Sequence, residues 1–420
     1  MNKKVVTTGA FAVAAMLVVV EGFGLLNYKD KYEKANKELN YVTQKEQKEE
    51  KENELTGSKD YLEEIKNVRK IIDENYLYDV DQEQLLEATL TGMMWGIDDP
   101  YAAYFSAEEF ESFSIDSLGT YSGVGAVLTQ LEDGTTVVVK IYPDSPAEKG
   151  GIHVDDVFYE IDDTNVVGKD SSTIASMLKG EEGTEVKVTM YRETNDEYIP
   201  ITLTRSHIEI PSVSSRLIGK DIGYVKIESW DAATVKQFRK AIVELHDQGM
   251  IGMVIDVRNN PGGIVSSATS VLDLFVEDNK ELSYTIDKNG KRTDYIAKDD
   301  IDLDMPIVIL VNENTASASE IFAGGMRDYK EAILVGEKTY GKGIVQSTFT
   351  LKNNDAIKLT IGEYYLPNGE CIHKKGIEPD VTSTLSEKLK KKVTLSDEED
   401  TQLKCGLKEL QKLMEKVTEE

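Results

Sequence analysis

Ser317 and Lys342 are the residues through which this chain could do covalent chemistry. A serine hydroxyl is a weak nucleophile at neutral pH and needs a group that takes its proton as it attacks. A buried, unprotonated lysine can serve, because burial disfavours the ammonium. Lys342 lies between Gly341 and Gly343, with the apolar Ile344 and Val345 following, which suits a lysine pressed into a tight, dry turn. Gln346, at i+4, falls on the same strand face and can orient the amine as a third group. Ser317-Ala-Ser-Glu320 also reads as a capping box opening the helix that Ile321 and Phe322 continue. The readings are compatible, since the amides and dipole of a helix N-terminus favour developing negative charge.

Other chemistries compete for the same residues. Gly336-Glu-Lys-Thr-Tyr-Gly341-Lys342 matches a phosphate-binding P-loop except that Gly343 stands where the magnesium-binding Ser or Thr belongs. A β-branched run, IVQSTFTL, follows it in place of a helix, so a nucleotide site lacks both metal ligand and helix dipole. A Ser-His-Asp triad through His373 is open in principle, because triads are assembled in space. The histidines His153, His207, His246 and His373 have no HExxH spacing, and Cys371 and Cys405 make neither a metal quartet nor a disulfide framework. No metal and no cofactor is expected.

NENTASASEI, GEKTYGKGIVQ and the upstream MVIDVRNNPGGIV together resemble the C-terminal processing (tail-specific) protease family in order and spacing. The resemblance implies Ser317 as nucleophile, Lys342 as base and Gln346 as its support. Thr315 stands where many relatives have serine. The resemblance also implies an oxyanion hole from an amide of the Gly262–Gly263 pair, Gly262 being favoured, and the amide of Ala318. NPGG alone reads first as a plain β-turn. Its glycines permit the close backbone approach that such a hole needs.

Positioning these residues requires a scaffold. From 206 to 384 predicted strands alternate with helices, which argues an α/β core with a buried sheet and the NPGG loop at the sheet's carboxyl end. Residues 117–205 resemble a PDZ domain through Tyr121-Ser-Gly-Val-Gly-Ala126 and the SPAEKGGIHVDD run. That resemblance aims the amides of Val124, Gly125 and Ala126 at a peptide's terminal carboxylate, with the peptide added as a strand. The helix over 171–180 forms the other wall, with Ile174 and Leu178 as pocket-lining candidates.

Upstream, residues 58–114 carry the patterning of a small helical domain. Residues 28–57 are a charged stalk or linker in which Tyr28, Tyr32, Ala35, Leu39 and Val42 follow a short heptad seam, able to join two copies. Residues 1–27 put Lys3 and Lys4 ahead of an apolar run, which reads as a signal anchor or transmembrane segment with the rest of the chain outside the cell membrane. Residues 385–420 form a helical tail. Across all 420 residues, 48 Lys+Arg against 76 Asp+Glu give a formal charge of -28, which argues against nucleic acid as a partner.

The expected fold is therefore multidomain α/β: an N-terminal membrane anchor, a small helical domain, a β-rich PDZ domain with two helices and an α/β Ser-Lys protease core. The expected function is an ATP-independent, single-pass serine endopeptidase that cleaves extracytoplasmic proteins with exposed apolar C-termini. Membrane, substrate proteins and a second copy are the expected partners. The competing reading is a catalytically silent PDZ adaptor that recruits envelope proteins.

Overall fold

The computed structural model describes residues 59–131, 133–298, 303–390, 392 and 395–419. The stretches read as anchor and stalk, 1–57, lie outside them. Among the described residues no helix is long and apolar enough to cross a membrane.

The chain divides into two compact units at Leu86–Glu87. The first holds α1 (Lys59–Asn75) and the beginning of α2 (Gln82–Trp95). Within α1, Arg69 pairs with Asp73 one turn on at 3.1 Å.

The second unit begins with β1 (Ala103–Phe105) and α3 (Ala107–Leu118). Ser106 and Glu109 close a capping box at the start of α3, and Gly119 ends it at φ 68 in the left-handed region. The segment 58–114 is thus not one helical domain, because β1 pairs antiparallel with a strand some 250 residues on, Ala103 opposite Lys358.

β2 (Thr120–Gly123) leads into the PDZ module: β3 (Ala126–Gln130), β4 (Thr136–Ile141), α4 (Pro146–Lys149), β5 (Val157–Ile161), β6 (Thr164–Asn165), α5 (Ser171–Leu178), β7 (Glu185–Arg192) and β8 (Glu197–Thr204). Its sheet runs β3-β4-β5-β7-β8, with β6 on β5. Alternating Val186, Val188 and Met190 of β7 point inward onto Phe158, Ile174 and Leu178. β9 (Ser206–Glu209) returns along β2, so the module leaves where it entered.

The core domain follows with β10 (Val213–Ile218), β11 (Ile222–Ile227), α6 (Thr234–Asp247), β12 (Gly252–Asp256), α7 (Val265–Leu272), β13 (Glu281–Asp287), β14 (Arg292–Ile296), β15 (Ile307–Val311), α8 (Ala318–Tyr329), β16 (Ile333–Gly336), β17 (Ile344–Thr350), β18 (Ala356–Tyr365), β19 (Val381–Thr382), α9 (Glu387–Lys390) and α10 (Thr401–Glu419). One sheet has the order β10-β11-β12-β15-β16-β19, parallel from β11 onward. Its centre, GMVID and IVILV, is buried at every position, because helices cover both faces. α6, α7 and α8 pack one face through Phe238, Val271, Phe322 and their neighbours. α10 packs the other with Leu403 and Leu410 against Val254, Val308 and Leu310. The second sheet has the order β1-β18-β13-β14 with β17 on β18, and β17 is the strand that follows Lys342.

Candidate active site

The nucleophile candidate sits at a strand–turn–helix corner. After β15, the Asn312 amide donates to Thr315 Oγ1 at 3.0 Å and Thr315 Oγ1 donates to the Val257 carbonyl at 2.9 Å, which pins the turn to the neighbouring strand's end. Ser317 then adopts φ 55, ψ -120, a sparsely populated conformation for a residue with a Cβ, and α8 starts at Ala318. Its amide donates to Glu320 Oε2 at 2.9 Å, the return arm of a capping box. The Glu320 amide bonds the Ser317 carbonyl at 2.8 Å. The hydroxyl has no hydrogen-bond partner among the described residues and faces the cavity.

A loop from β12 walls the hydroxyl. Asn260 receives the Ala316 amide and the Ser319 hydroxyl on its carbonyl, at 3.1 Å each, while Trp230 Nε1 donates to Ser319 Oγ at 2.8 Å. These bonds lash the NPGG loop to the first turn of α8. Gly262 has φ 109, and a Cβ there would stand 2.7 Å from Ser317 Cβ and 2.9 Å from the Ala316 carbonyl. NPGG is therefore no plain turn, since only glycine fits against the serine. The oxyanion-hole expectation needs one correction: the Gly262 amide donates to Asn260 Oδ1 at 2.9 Å and is already engaged. Gly263 and Ala318 carry the adjoining amides without a hydrogen-bond partner among the described residues.

Lys342 begins the approach to β17. Its amide, the Gly341 amide and the Thr339 hydroxyl donate to the Glu320 carboxylate at 2.9, 2.8 and 2.5 Å. The P-loop-like turn thus wraps an anion of its own chain. Glu320 is fully buried, and burial pushes its carboxyl above the usual glutamate range against the four hydrogen bonds that favour its charged form. Beneath, the buried Tyr364 hydroxyl lies 3.0 Å from the Ser317 carbonyl and 2.5 Å from the Lys342 carbonyl. Glu320 and Tyr364 therefore hold the two backbones together. Sequence reading assigned Glu320 only a cap and did not single out Tyr364.

Ser317, Lys342, Gln346 and Gly262 line one cavity of about 590 Å³ with Trp230, Ile264, Val345 and Lys358. Lys342 is held below the ordinary lysine range first by burial and then by the charge of Lys358, against the pull of Asp99 and Glu320. Its Nζ lies 4.4 Å from the centre of the Tyr101 ring. Gln346 Nε2 approaches Thr360 Oγ1 at 3.5 Å. The three residues share the cavity, yet no hydrogen bond joins them among the described residues. His373 does not line it, and its buried Nδ1 has no partner among the described residues.

The peptide-groove candidates separate. A second cavity, about 560 Å³, runs between β3 and α5, lined by Tyr121, Ala126, Leu128, Ala175 and Lys179, with Glu108 and Glu111 of α3 along its rim. Gly125 has φ 83, and a Cβ would stand 2.3 Å from Ser145 Cβ. Its amide meets the phenol of Tyr121, which burial pushes up to about 12. Of the expected loop, Ala126 lines this cavity, whereas Val124 is buried in the PDZ core. Ile174 and Leu178 do not line the groove: they are 0% and 3% exposed in the PDZ core. They form the apolar stripe of α5, which a half-exposed helix buries inward, leaving Ala175 and Lys179 for the groove.

The core domain thus brings a serine at a helix start and a lysine whose ammonium burial disfavours into one cavity. Residues 221–383 match peptidase family S41, 122–203 the PDZ domain, and 17–109 the activating protease CtpB N-terminal domain. The core domain is thus similar to peptidase family S41 and the module before it to PDZ domains. The chain is 35% identical over 329 residues to a Staphylococcus haemolyticus protein named "Probable CtpA-like serine protease", covering 77% of this chain and 65% of that one. A Staphylococcus aureus (strain N315) protein of the same name is 35% identical over 325 residues, covering 76% and 64%. The chain thus spans just under two thirds of the length of these relatives. Among solved structures, a photosystem II D1 C-terminal processing protease is 28% identical, with coverage of 77% and 88% and a TM-score of 0.44.

Proposed function

We propose that the chain is an ATP-independent serine endopeptidase that cleaves proteins whose apolar C-termini enter the PDZ groove. The observation that carries the reading is the Ser317 hydroxyl, unbonded at the start of a buried helix, in one cavity with a lysine whose ammonium is disfavoured. Neutral Lys342 takes the Ser317 proton as Oγ attacks the carbonyl carbon. The oxyanion is held by the Ala318 amide and an amide of the glycine pair, Gly263 in the arrangement seen here. The protonated lysine then gives its proton to the leaving amine, and water, activated the same way, releases the acyl group. For the first step Nζ must leave the Tyr101 ring and turn to Ser317, with Gln346 as its support.

The lysines ahead of the apolar run at 5–20 support tethering in the cell membrane with these domains outside it. The heptad seam supports self-association, and the acidic balance argues against nucleic acid.

The test is digestion, without ATP, of an unfolded protein ending in apolar residues, by the chain from Ser58 onward beside Ser317→Ala and Lys342→Ala. Cleavage by the parent and neither variant is expected. Persistence of substrate in all three, with peptide still bound, would favour the adaptor reading. Cleavage surviving Lys342→Ala would mean another base.

A further inference from the structure

The cavity holds a second lysine that the reaction above does not use. Lys358, on β18, sits in register with Ala103 of β1 and Thr348 of β17. Its Nζ lies 5.3 Å from the Phe105 ring and 5.2 Å from the Phe113 ring, which stack on each other at 5.1 Å. No carboxylate pairs with it among the described residues, and it lines the same cavity as Ser317 and Lys342. Phe105 and Thr348 are uncharged, as are Ala103 and Phe113, so the cation rests on aromatic faces alone. An apolar side chain would fill that place against the phenylalanine pair without the loss of ammonium hydration.

The charge has one evident effect. The groups acting on Lys342 are Asp99 and Glu320, which favour its ammonium, the Tyr101 face, which also does, and Lys358, which opposes them. A neighbouring cation is a known way to keep an active-site amine unprotonated. Resting on the Ser317–Lys342 reading, we infer that Lys358 is a positioning residue acting through Lys342: its ammonium, held over Phe105 and Phe113 in the same cavity, biases Lys342 toward the free amine.

The experiment measures the rate of Ser317 labelling by a fluorophosphonate, and of peptide cleavage, against pH for the parent, Lys358→Met, Lys358→Arg, Ser317→Ala and Lys342→Ala. Lys358→Gln replaces the methionine variant if the latter does not fold. The neutral variants are expected to move the midpoint of the alkaline rise up by about one pH unit. They then lose roughly tenfold in rate below it and recover the parent rate above it. Arginine restores the parent midpoint. An unchanged midpoint overturns the inference, as does a loss that high pH does not recover or one that arginine shares. Labelling that persists in Lys342→Ala overturns the dyad itself, a separate outcome.

Discussion

The Lys342 ammonium lies over the Tyr101 ring, 4.4 Å from its centre, and not on the Ser317 hydroxyl. The phenol is pushed up to about 12, first by burial and then by its hydrogen bond to Tyr340, so the ring stays neutral across the working range. A neutral ring face stabilises the ammonium by about 0.5–2 kcal/mol relative to the amine. The contact therefore holds the amine away from Ser317 and favours its charged form, in opposition to burial and Lys358. Tyr101→Leu should speed fluorophosphonate labelling of Ser317 at neutral pH by about three- to tenfold. Tyr101→Phe, which keeps the face, should speed it far less. Equal labelling by the parent and Tyr101→Leu would remove Tyr101 from the control of the base.

Glu320 is the joint between the serine turn and the lysine turn. Each carboxylate oxygen accepts two donors: Oε1 from Thr339 and Gly341, Oε2 from Ser317 and Lys342. Glutamine offers one acceptor and an NH₂, so either orientation sets an amino group against two donors. Glu320→Gln should destabilise the fold by about 2–4 kcal/mol and slow Ser317 labelling at least tenfold. Thermal melts and labelling rates check both. Unfolding linkage has a definite sign here. The folded carboxyl titrates above its unfolded value, so this group's contribution falls as pH rises from the ordinary glutamate range through the raised folded one, then stays level. Glu320→Gln should flatten that part of the stability profile.

Lys342 shows the opposite linkage. Its folded value is depressed, so the unfolded chain binds the proton more tightly and stability rises with pH between the folded value and the ordinary lysine value. Below that window the folded protein bears the full burden of a half-buried ammonium. Lys342→Met should abolish cleavage while raising the melting temperature at neutral pH by up to a few degrees, with the gain shrinking as pH approaches 10. A melting point that falls at neutral pH would mean the ammonium is well accommodated.

What could be read from the sequence was what lies close along the chain. Ser317, Lys342 and Gln346 fall in two short motifs joined by one helix and one strand, and they reach one cavity. Thr339, Gly341 and Glu320 were visible as a turn and a cap, but that the turn closes on the cap's carboxylate is a tertiary fact. Tyr101 and Lys358 were out of reach for a different reason. Both depend on β1 pairing with β18 across most of the chain, and no local periodicity encodes that register. The engaged Gly262 amide likewise depends on where the Asn260 side chain turns, a rotamer choice made by the fold.

The two faces of α5 give the remaining prediction. Ile174 and Leu178 pack in the PDZ core with Phe158 and Val188, whereas Ala175, one residue along, faces the groove. Adjacent helix positions point about a quarter-turn apart, so the same helix separates packing from recognition within a single peptide bond. Ile174→Ala should cost about 2–5 kcal/mol of stability through lost burial and a residual cavity. Ala175→Trp should leave the melting temperature within a degree or two of the parent, since it adds bulk on the open side, and should weaken binding of an apolar-ended fluorescent peptide at least tenfold. Peptide anisotropy and a thermal melt on the same two variants decide it. Peptide binding unaffected by Ala175→Trp would mean that C-termini are captured elsewhere than between β3 and α5.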